Sequence, residues 1–167
     1  MDLGVGVYKD AQGLTPIPRA VKLAEQRLVD AELTKTYVGG HGDAAFGARL
    51  SQLVLGADSS LLVGQRVGAT QTPGGTGALR LAGDFIRHCL PGRGIWLSDP
   101  TWPIHETLFA AAGLKVGQYP YVGADNRLDV EAMIAALTHL PKGDVVLLHA
   151  CCHNPTGFDL TPRDWKR

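Results

Sequence analysis

Residues 67–89, VGATQTPGGTGALRLAGDFIRHC, decide the fold class because they change from a strand pattern to a helix pattern across a glycine turn. Residues 67–72 are typical of a strand, and Pro73, Gly74 and Gly75 are typical of a turn. Apolar residues then recur at helical spacing over 78–89. The residues expected to face inward are Ala78, Ala82, Phe85, Ile86 and Cys89. This stretch is therefore predicted to be a β-turn-α unit.

Strand and helix patterns alternate on both sides of this unit. Helices are predicted from the turn after Gly13 to Ala31 and at 44–55, 104–112 and 130–137, and a last one begins in 161–167. Strands are predicted at 95–98, 116–119 and 144–149. This alternation indicates an α/β fold, a mostly parallel sheet flanked by helices.

Composition narrows the class of protein. The chain has 167 residues, 45% of them hydrophobic and 19% charged, which is the mix of a globular domain. Sixteen Lys and Arg balance sixteen Asp and Glu, so no basic excess points to nucleic acid or an anionic membrane surface. No apolar run is long enough to span a bilayer and no leader pattern follows Met1. We therefore expect a cytoplasmic protein with three reduced cysteines.

The loop after residue 72 is the first candidate site, because ligands of open parallel sheets bind beyond the carboxyl ends of strands. Thr72-Pro73-Gly74-Gly75-Thr76-Gly77-Ala78 joins a strand to a helix, where backbone N–H groups and the helix dipole favour an anion. It fits neither the Walker nor the dinucleotide glycine pattern. By itself it is either a phosphate cradle or a plain tight turn.

Two later loops carry unusual residues. In Ser98-Asp99-Pro100-Thr101-Trp102-Pro103-Ile104-His105, Trp102 could stack on a flat ligand or fill the core, and His105 could handle protons or be a satisfied polar residue. His149-Ala150-Cys151-Cys152-His153-Asn154-Pro155-Thr156-Gly157 holds two Cys and two His. Adjacent cysteines chelate zinc poorly, so we expect no metal here, whereas the Asn154 amide could donate to a ligand oxygen.

These segments together resemble the class I pyridoxal-phosphate aminotransferases, in the branch that acts on aspartate and aromatic amino acids. The order and spacing of five segments carry the resemblance, which extends over nearly the whole chain. The segments are Leu3-Gly4-Val5-Gly6-Val7-Tyr8-Lys9-Asp10, Thr36-Tyr37, Gln71-Thr72-Pro73-Gly74-Gly75-Thr76-Gly77-Ala78, Pro100-Thr101-Trp102-Pro103-x-His105 and Cys151-Cys152-His153-Asn154-Pro155-Thr156-Gly157. The resemblance implies the large domain of fold type I pyridoxal-phosphate transferases.

The same resemblance implies roles for residues at matching positions. Gly74, Gly75 and Thr76 would bind the phosphate of pyridoxal phosphate. Trp102 would stack on the pyridine ring, and Asn154 would hydrogen-bond the phenolic oxygen of the cofactor. Trp102 and Asn154 would also contact the substrate.

Further roles concern residues at the margin of the site. Gly6 would lie beside the substrate, and Tyr37 would reach across a homodimer interface to the phosphate of the partner's cofactor. His105 and His149 would lie under the ring, behind the residues that touch it. Cys151 and Cys152 would be structural.

The resemblance also implies that part of the enzyme is missing. The lysine that forms the Schiff base is expected beyond residue 167, because none of the six lysines lies in the family's lysine motif; they are Lys9, Lys22, Lys35, Lys115, Lys142 and Lys166. We expect 1–33 to be an N-terminal segment and helix leading into the cofactor domain, and 34–167 to be the first part of that domain. The remainder and the small domain would be absent, so this chain alone is expected to be inactive.

Two other functions remain alternatives at this point. One is a non-catalytic module that keeps half of the fold and binds a phosphate ligand or a protein partner. The other is a nicotinamide-dependent oxidoreductase, which is disfavoured because no ribose-binding acid follows the glycine turn in a matching unit. Either aspartate or an aromatic amino acid remains possible as the substrate of an aminotransferase.

Overall fold

The structure, a computed structural model, describes residues 6–167, so residues 3–5 of the segment that begins at Leu3 and ends at Asp10 lie outside it. It consists of two compact units, Met1–Gly40 and His41–Arg167. The first unit contains helix α1 (Arg19–Ala31), which begins directly after Pro18. Proline suits the start of a helix, where its missing N–H removes no hydrogen bond. None of the residues of α1 is buried.

The second unit alternates helices and strands, as the sequence predicts. Its helices are α2 (Ala44–Leu55), α3 (Ser60–Val63), α4 (Gly74–Cys89), α5 (Ile104–Ala111) and α6 (Val130–Thr138). Its strands are β1 (Gly94–Asp99), β2 (Lys115–Pro120) and β3 (Val145–Val146), and a 3₁₀ turn at Asp164–Lys166 replaces the final predicted helix. Helix α3 was not predicted, because four residues are too few to show a period.

All three strands are parallel and lie in the order β2-β1-β3. Strand β1 is central, with Ile95 opposite Val116 on one side and Val145 on the other. Its side chains alternate between the two faces of the sheet. The helix-flanked parallel sheet confirms the predicted fold class.

Two apolar clusters follow from this alternation, one on each face. Ile95 and Leu97 of β1 pack with residues of α4 and α5, namely Ile86 and Phe109, and with Leu114. The opposite face packs against α6, where Tyr119, Tyr121 and Met133 form the buried cluster. The second cluster also includes the partly buried Trp96 of β1.

The strand predicted at 67–72 is wrong. Within the described residues this segment pairs with no other strand; Gln71 N–H donates to the backbone oxygen of His41 instead. The strand predicted at 144–149 shrinks to Val145–Val146, although Leu147 N–H still donates to the Trp96 carbonyl at 2.9 Å. A strand needs a neighbour as well as suitable residues, and residue type alone cannot provide one.

The inward face predicted for α4 is also wrong. Of the five residues expected to face inward, only Ile86 is buried, and Phe85 is exposed. Gly83 is buried instead, and a Cβ built on it would lie 2.9 Å from the Ala112 Cβ. The two helices α4 and α5 therefore come closest at a glycine, which a search for large apolar residues overlooks.

Gly117→Ala is expected to destabilise the second unit by about 1–3 kcal/mol, the usual cost of overpacking. A Cβ at Gly117 would lie 2.6 Å from the Trp96 ring, whose Nε1–H donates to Asp144 Oδ2 at 2.9 Å. The ring must move and weaken this hydrogen bond. Urea unfolding measures the effect, with Gly68→Ala as control because no atom lies within 4 Å of a Cβ there. Equal stability of the two variants would contradict the prediction.

Candidate functional site

The first turn of α4 forms one wall of the candidate site. Gly74 adopts φ +71°, a conformation that glycine reaches without strain, and its N–H donates to the Thr72 carbonyl at 2.8 Å. Within residues 6–167, the N–H groups of Gly75 and Thr76 donate to no protein acceptor. A Cβ on Gly74 or Gly75 would meet no atom within 4 Å. Two N–H groups at an accessible helix N-terminus fit an anion.

A cavity of about 270 Å³ joins this helix to the ends of the sheet. Leu79, one turn after Thr76, lines it together with His105 of α5 and His149. The remaining lining residues come from the end of β3 and its loop: Leu147, Leu148 and Cys151. The structure thus brings the second and third of the loops that the sequence singled out together with Leu79, the residue that directly follows the first loop.

A line of hydrogen bonds connects the loops behind this cavity. Asn154 N–H donates to His149 Nδ1 at 3.2 Å, so the proton of a neutral His149 lies on Nε2. His149 Nε2 faces Thr101 Oγ1 at 3.3 Å, and the same hydroxyl lies 2.9 Å from His105 Nδ1. Thr101 therefore accepts from His149 and donates to His105, which leaves the His105 proton on Nε2.

His153 anchors the other end of the loop. It is buried between Tyr121, whose ring centroid lies 3.9 Å away, and His149, at 4.2 Å. Its Nε2 lies 3.0 Å from Ser98 Oγ and its Nδ1 lies 2.9 Å from Thr156 Oγ1. Since a hydroxyl can donate or accept, either neutral tautomer is satisfied.

Burial keeps these imidazoles neutral. Desolvation is the largest effect at each of the three rings, and it lowers the pKa of His105 and of His149. At His153 desolvation, reinforced by the neighbouring His149, lowers the pKa to about 4. Neutral rings at pH 7 are what the hydrogen-bond directions above require.

Asp159 fixes the backbone of the loop through its carboxylate. Oδ2 accepts from Cys152 N–H and Oδ1 accepts from His153 N–H, both at 2.8 Å. These two hydrogen bonds are the main reason why the pKa of Asp159 lies below its usual range. The hydroxyl of Tyr121 also donates to the Phe158 carbonyl at 2.7 Å and ties the loop to the end of β2.

Trp102 and Asn154 are both accessible to solvent, Trp102 in part. Trp102 is half-buried, belongs to neither apolar cluster and meets His105 edge-on with ring centroids 5.3 Å apart. It is therefore not a core residue. Asn154 is exposed, and its side-chain amide makes no hydrogen bond to any residue in 6–167.

Gly6 and Tyr37 belong to the other compact unit, where Tyr37 is fully exposed and no atom lies within 4 Å of a Cβ on Gly6. Among residues 6–167, no three His, Cys, Asp or Glu side chains are placed to hold a metal ion. In the same part of the chain, no helix combines the length and apolarity needed to cross a membrane.

Sequence reasoning missed five residues of the site: Ser98, Thr101, Tyr121, Thr156 and Asp159. The quoted motifs include Ser98, Thr101 and Thr156, so the sequence could have indicated these three residues as part of the site. Tyr121 and Asp159 join the site through contacts that appear only in the folded chain: Tyr121 stacks on His153, and Asp159 accepts from the N–H groups of Cys152 and His153. No local pattern marks them.

A family model and individual relatives match this chain over nearly its whole length. The family model described as aminotransferase class I and II matches residues 1–167. An aromatic-amino-acid aminotransferase of Pseudomonas aeruginosa is 81% identical over the whole chain, which covers 42% of that protein. An aspartate aminotransferase of Escherichia coli is 47% identical over 99% of the chain, again 42% of the relative.

Solved structures of relatives superpose on nearly the whole chain. An aromatic amino acid aminotransferase from Burkholderia cenocepacia superposes with a TM-score of 0.94 at 42% identity, over 98% of this chain and 42% of that one. An aromatic-amino-acid aminotransferase from Burkholderia pseudomallei, covalently bound to pyridoxal phosphate, gives 0.92 at 45% identity over 98% and 41%. The chain therefore spans about two fifths of the length of these relatives.

Proposed function

Since the chain belongs to the aminotransferase class I and II family, we propose that it is part of the cofactor domain of an enzyme that transfers amino groups. The whole protein exchanges an amino group between an L-amino acid and a 2-oxo acid with pyridoxal phosphate as cofactor. Homologues in the family use this cofactor. The relatives include aromatic and aspartate aminotransferases, so either substrate class is proposed.

One observation carries the proposal: the N–H groups of Gly75 and Thr76 at the start of α4 lie about one helical turn from Leu79, which lines a cavity with His105 and His149. A phosphate fits the N–H groups, since it is an anion at a helix N-terminus. Gly74 and Gly75 leave room for it, and the exposed Thr76 adds a hydroxyl. The residues present therefore fit the phosphate of the cofactor.

When bound, pyridoxal phosphate supplies an aldehyde that takes up the amino group and a ring that withdraws electrons. In this proposal Trp102 stacks on the ring, and the exposed Asn154 amide donates to the phenolic oxygen and helps to hold the substrate carboxylate. His105 and His149 act through Thr101. They hold Trp102 and the Asn154 backbone in place and stay neutral.

The remaining parts of the proposal concern the whole protein. It is cytoplasmic and forms a homodimer, in which Tyr37 contacts the phosphate of the partner's cofactor and Gly6 lies beside the substrate. Residues 1–33 lead into the cofactor domain and 34–167 are its first part. The lysine that holds the cofactor covalently lies outside these 167 residues, so this chain alone has no transaminase activity.

The test uses the full-length protein and the 167-residue chain side by side. We expect the full-length protein to transfer amino groups from aspartate or an aromatic amino acid to 2-oxoglutarate, and the chain to give no turnover above a heat-killed blank. Full-length Thr76→Val is expected to bind pyridoxal phosphate about tenfold more weakly, because one charge-assisted hydrogen bond is lost. Its affinity for pyridoxal, which lacks the phosphate, should not change.

Thr138→Val is the matched control, because Thr138 is exposed at the end of α6 and its hydroxyl meets only local partners, the Ala135 carbonyl and His139 Nδ1. Equal binding of pyridoxal and pyridoxal phosphate by the unsubstituted protein would contradict the phosphate site. A full-length protein without amino transfer would contradict the function. Turnover by the 167-residue chain would show that the lysine assignment is wrong.

A further inference from the structure

Two adjacent thiols, Cys151 and Cys152, lie beside the candidate site without a role in the proposed function. Both are exposed, and neither forms a disulfide. Cys151 lines the same cavity as His105 and His149. The third cysteine, Cys89, is an exposed single thiol at the end of α4.

Hydrogen bonds fix the backbone that carries the two thiols. Cys152 has φ +52°, in the left-handed region that a side chain other than glycine rarely adopts. The Asp159 carboxylate holds this conformation, because it accepts from the N–H groups of Cys152 and His153 at 2.8 Å. The neighbouring Cys151 raises the pKa of Cys152. The folded chain therefore presents two adjacent, exposed thiols on an ordered turn.

We propose that Cys151 and Cys152 form a binding site for trivalent arsenic, which the pair chelates through both sulfur atoms. Thiolate sulfur is a soft ligand and selects soft ions. Trivalent arsenic is pyramidal and accepts two sulfur atoms on neighbouring corners, which suits adjacent residues. A tetrahedral zinc site needs four ligands, and two thiols on one short turn do not supply them. This inference does not depend on the proposed aminotransferase function.

The reaction with phenylarsine oxide, the probe used below, is balanced without a change of oxidation state. Two As–S bonds form, two S–H bonds break, and the arsenic oxygen leaves as one water molecule with both thiol protons. Arsenic stays trivalent and keeps its phenyl group. No other reactant is needed.

The experiment measures the binding of phenylarsine oxide to the reduced 167-residue chain by intact mass, in excess glutathione as a competing single thiol. We expect one adduct per chain, removed by 2,3-dimercaptopropanol. Digestion of this adduct should place the arsenic on the peptide that contains Cys151 and Cys152. Cys151→Ser and Cys152→Ser should each bind about 100-fold more weakly, the size of effect that two linked binding groups give. Cys89→Ser should bind as the unsubstituted chain does.

The contribution of the fold is measured in the same assay. In 8 M urea the unsubstituted chain should bind about tenfold more weakly, since the turn no longer holds the thiols together. An adduct on Cys89, full affinity in either single-serine variant, or no adduct at all would overturn the proposal. Equal affinity with and without urea would overturn the claim that the folded turn pairs the thiols. Mapping on the unsubstituted chain needs no variant, so a serine variant that fails to fold does not affect this test.

Discussion

Leu97→Ala is expected to lower the free energy of unfolding of the second unit by about 3–5 kcal/mol. Leu97 is fully buried, with an exposed fraction of 0%, and lies in the central strand β1. Its neighbours in the cluster come from α4 and α5 and from the segment before β2. Because elements on both sides of Leu97 are held in place, the cavity left by its side chain cannot close by a small local shift.

Urea unfolding of the 167-residue chain measures this effect as a lower midpoint with an unchanged slope. Leu53→Ala is the matched control, because Leu53 lies in α2 with 81% of its surface exposed. The control should change stability by no more than about 0.5 kcal/mol. A loss of less than about 1 kcal/mol for Leu97→Ala would mean that β1 is not the centre of the core.

Acid is expected to destabilise the second unit well above the pH at which carboxylates titrate. Burial lowers the pKa of His153 from 6.5 to about 4, so the folded state binds fewer protons than the unfolded state between these values. Stability therefore falls as the pH falls from 6.5 towards 4, and His153 accounts for about 3 kcal/mol of the loss. His105 and His149, whose pKa values are also lowered, add to the loss in the same direction.

The groups around His153 explain why its pKa is lowered and why stability falls as the pH falls. Tyr121 and His149 stack on its two faces, and Ser98 and Thr156 meet its nitrogen atoms. Asp159 and a backbone hydrogen bond favour the protonated ring, but desolvation outweighs both. Urea midpoints at pH 7, 6, 5 and 4.5 measure the slope. His153→Gln should flatten it, and His139→Gln should not, because His139 is exposed at the end of α6. An unchanged slope in His153→Gln would contradict the assignment.

Local patterns predicted the elements whose partners are near in sequence. Helix α2 begins and ends at the predicted residues, and β1, α5, β2 and α6 agree to within one residue. The errors occur where distant partners decide the outcome. The segment 67–72 has strand residues but pairs with no strand within the described chain. The buried face of α4 includes Gly83, which lies close to Phe109 of α5 and to Ala112. Periodicity cannot show either contact.

The candidate site was predictable to a similar extent. The motifs located the loops that follow β1 and β3, because parallel strands bring their carboxyl ends to one edge of the sheet. The loop at 72–78 follows no strand of this sheet, so the same argument does not apply to it. They could not show that Thr101 links two histidines or that Tyr121 stacks on His153, since both are contacts between separate elements. The contacts of Gly6 and Tyr37 proposed above stay predictions.

The strand order β2-β1-β3 also determines how many residues separate the strands that pair in the sheet. Ile95 pairs with Val116, 21 residues later, and with Val145, 50 residues later. Closing the longer loop costs more chain entropy and is rewarded by fewer paired residues. We therefore expect the β1-α5-β2 unit to form first and β3 to join it late. Of the three candidate loops, the one with Cys151, His153 and Asn154 is then expected to become ordered last.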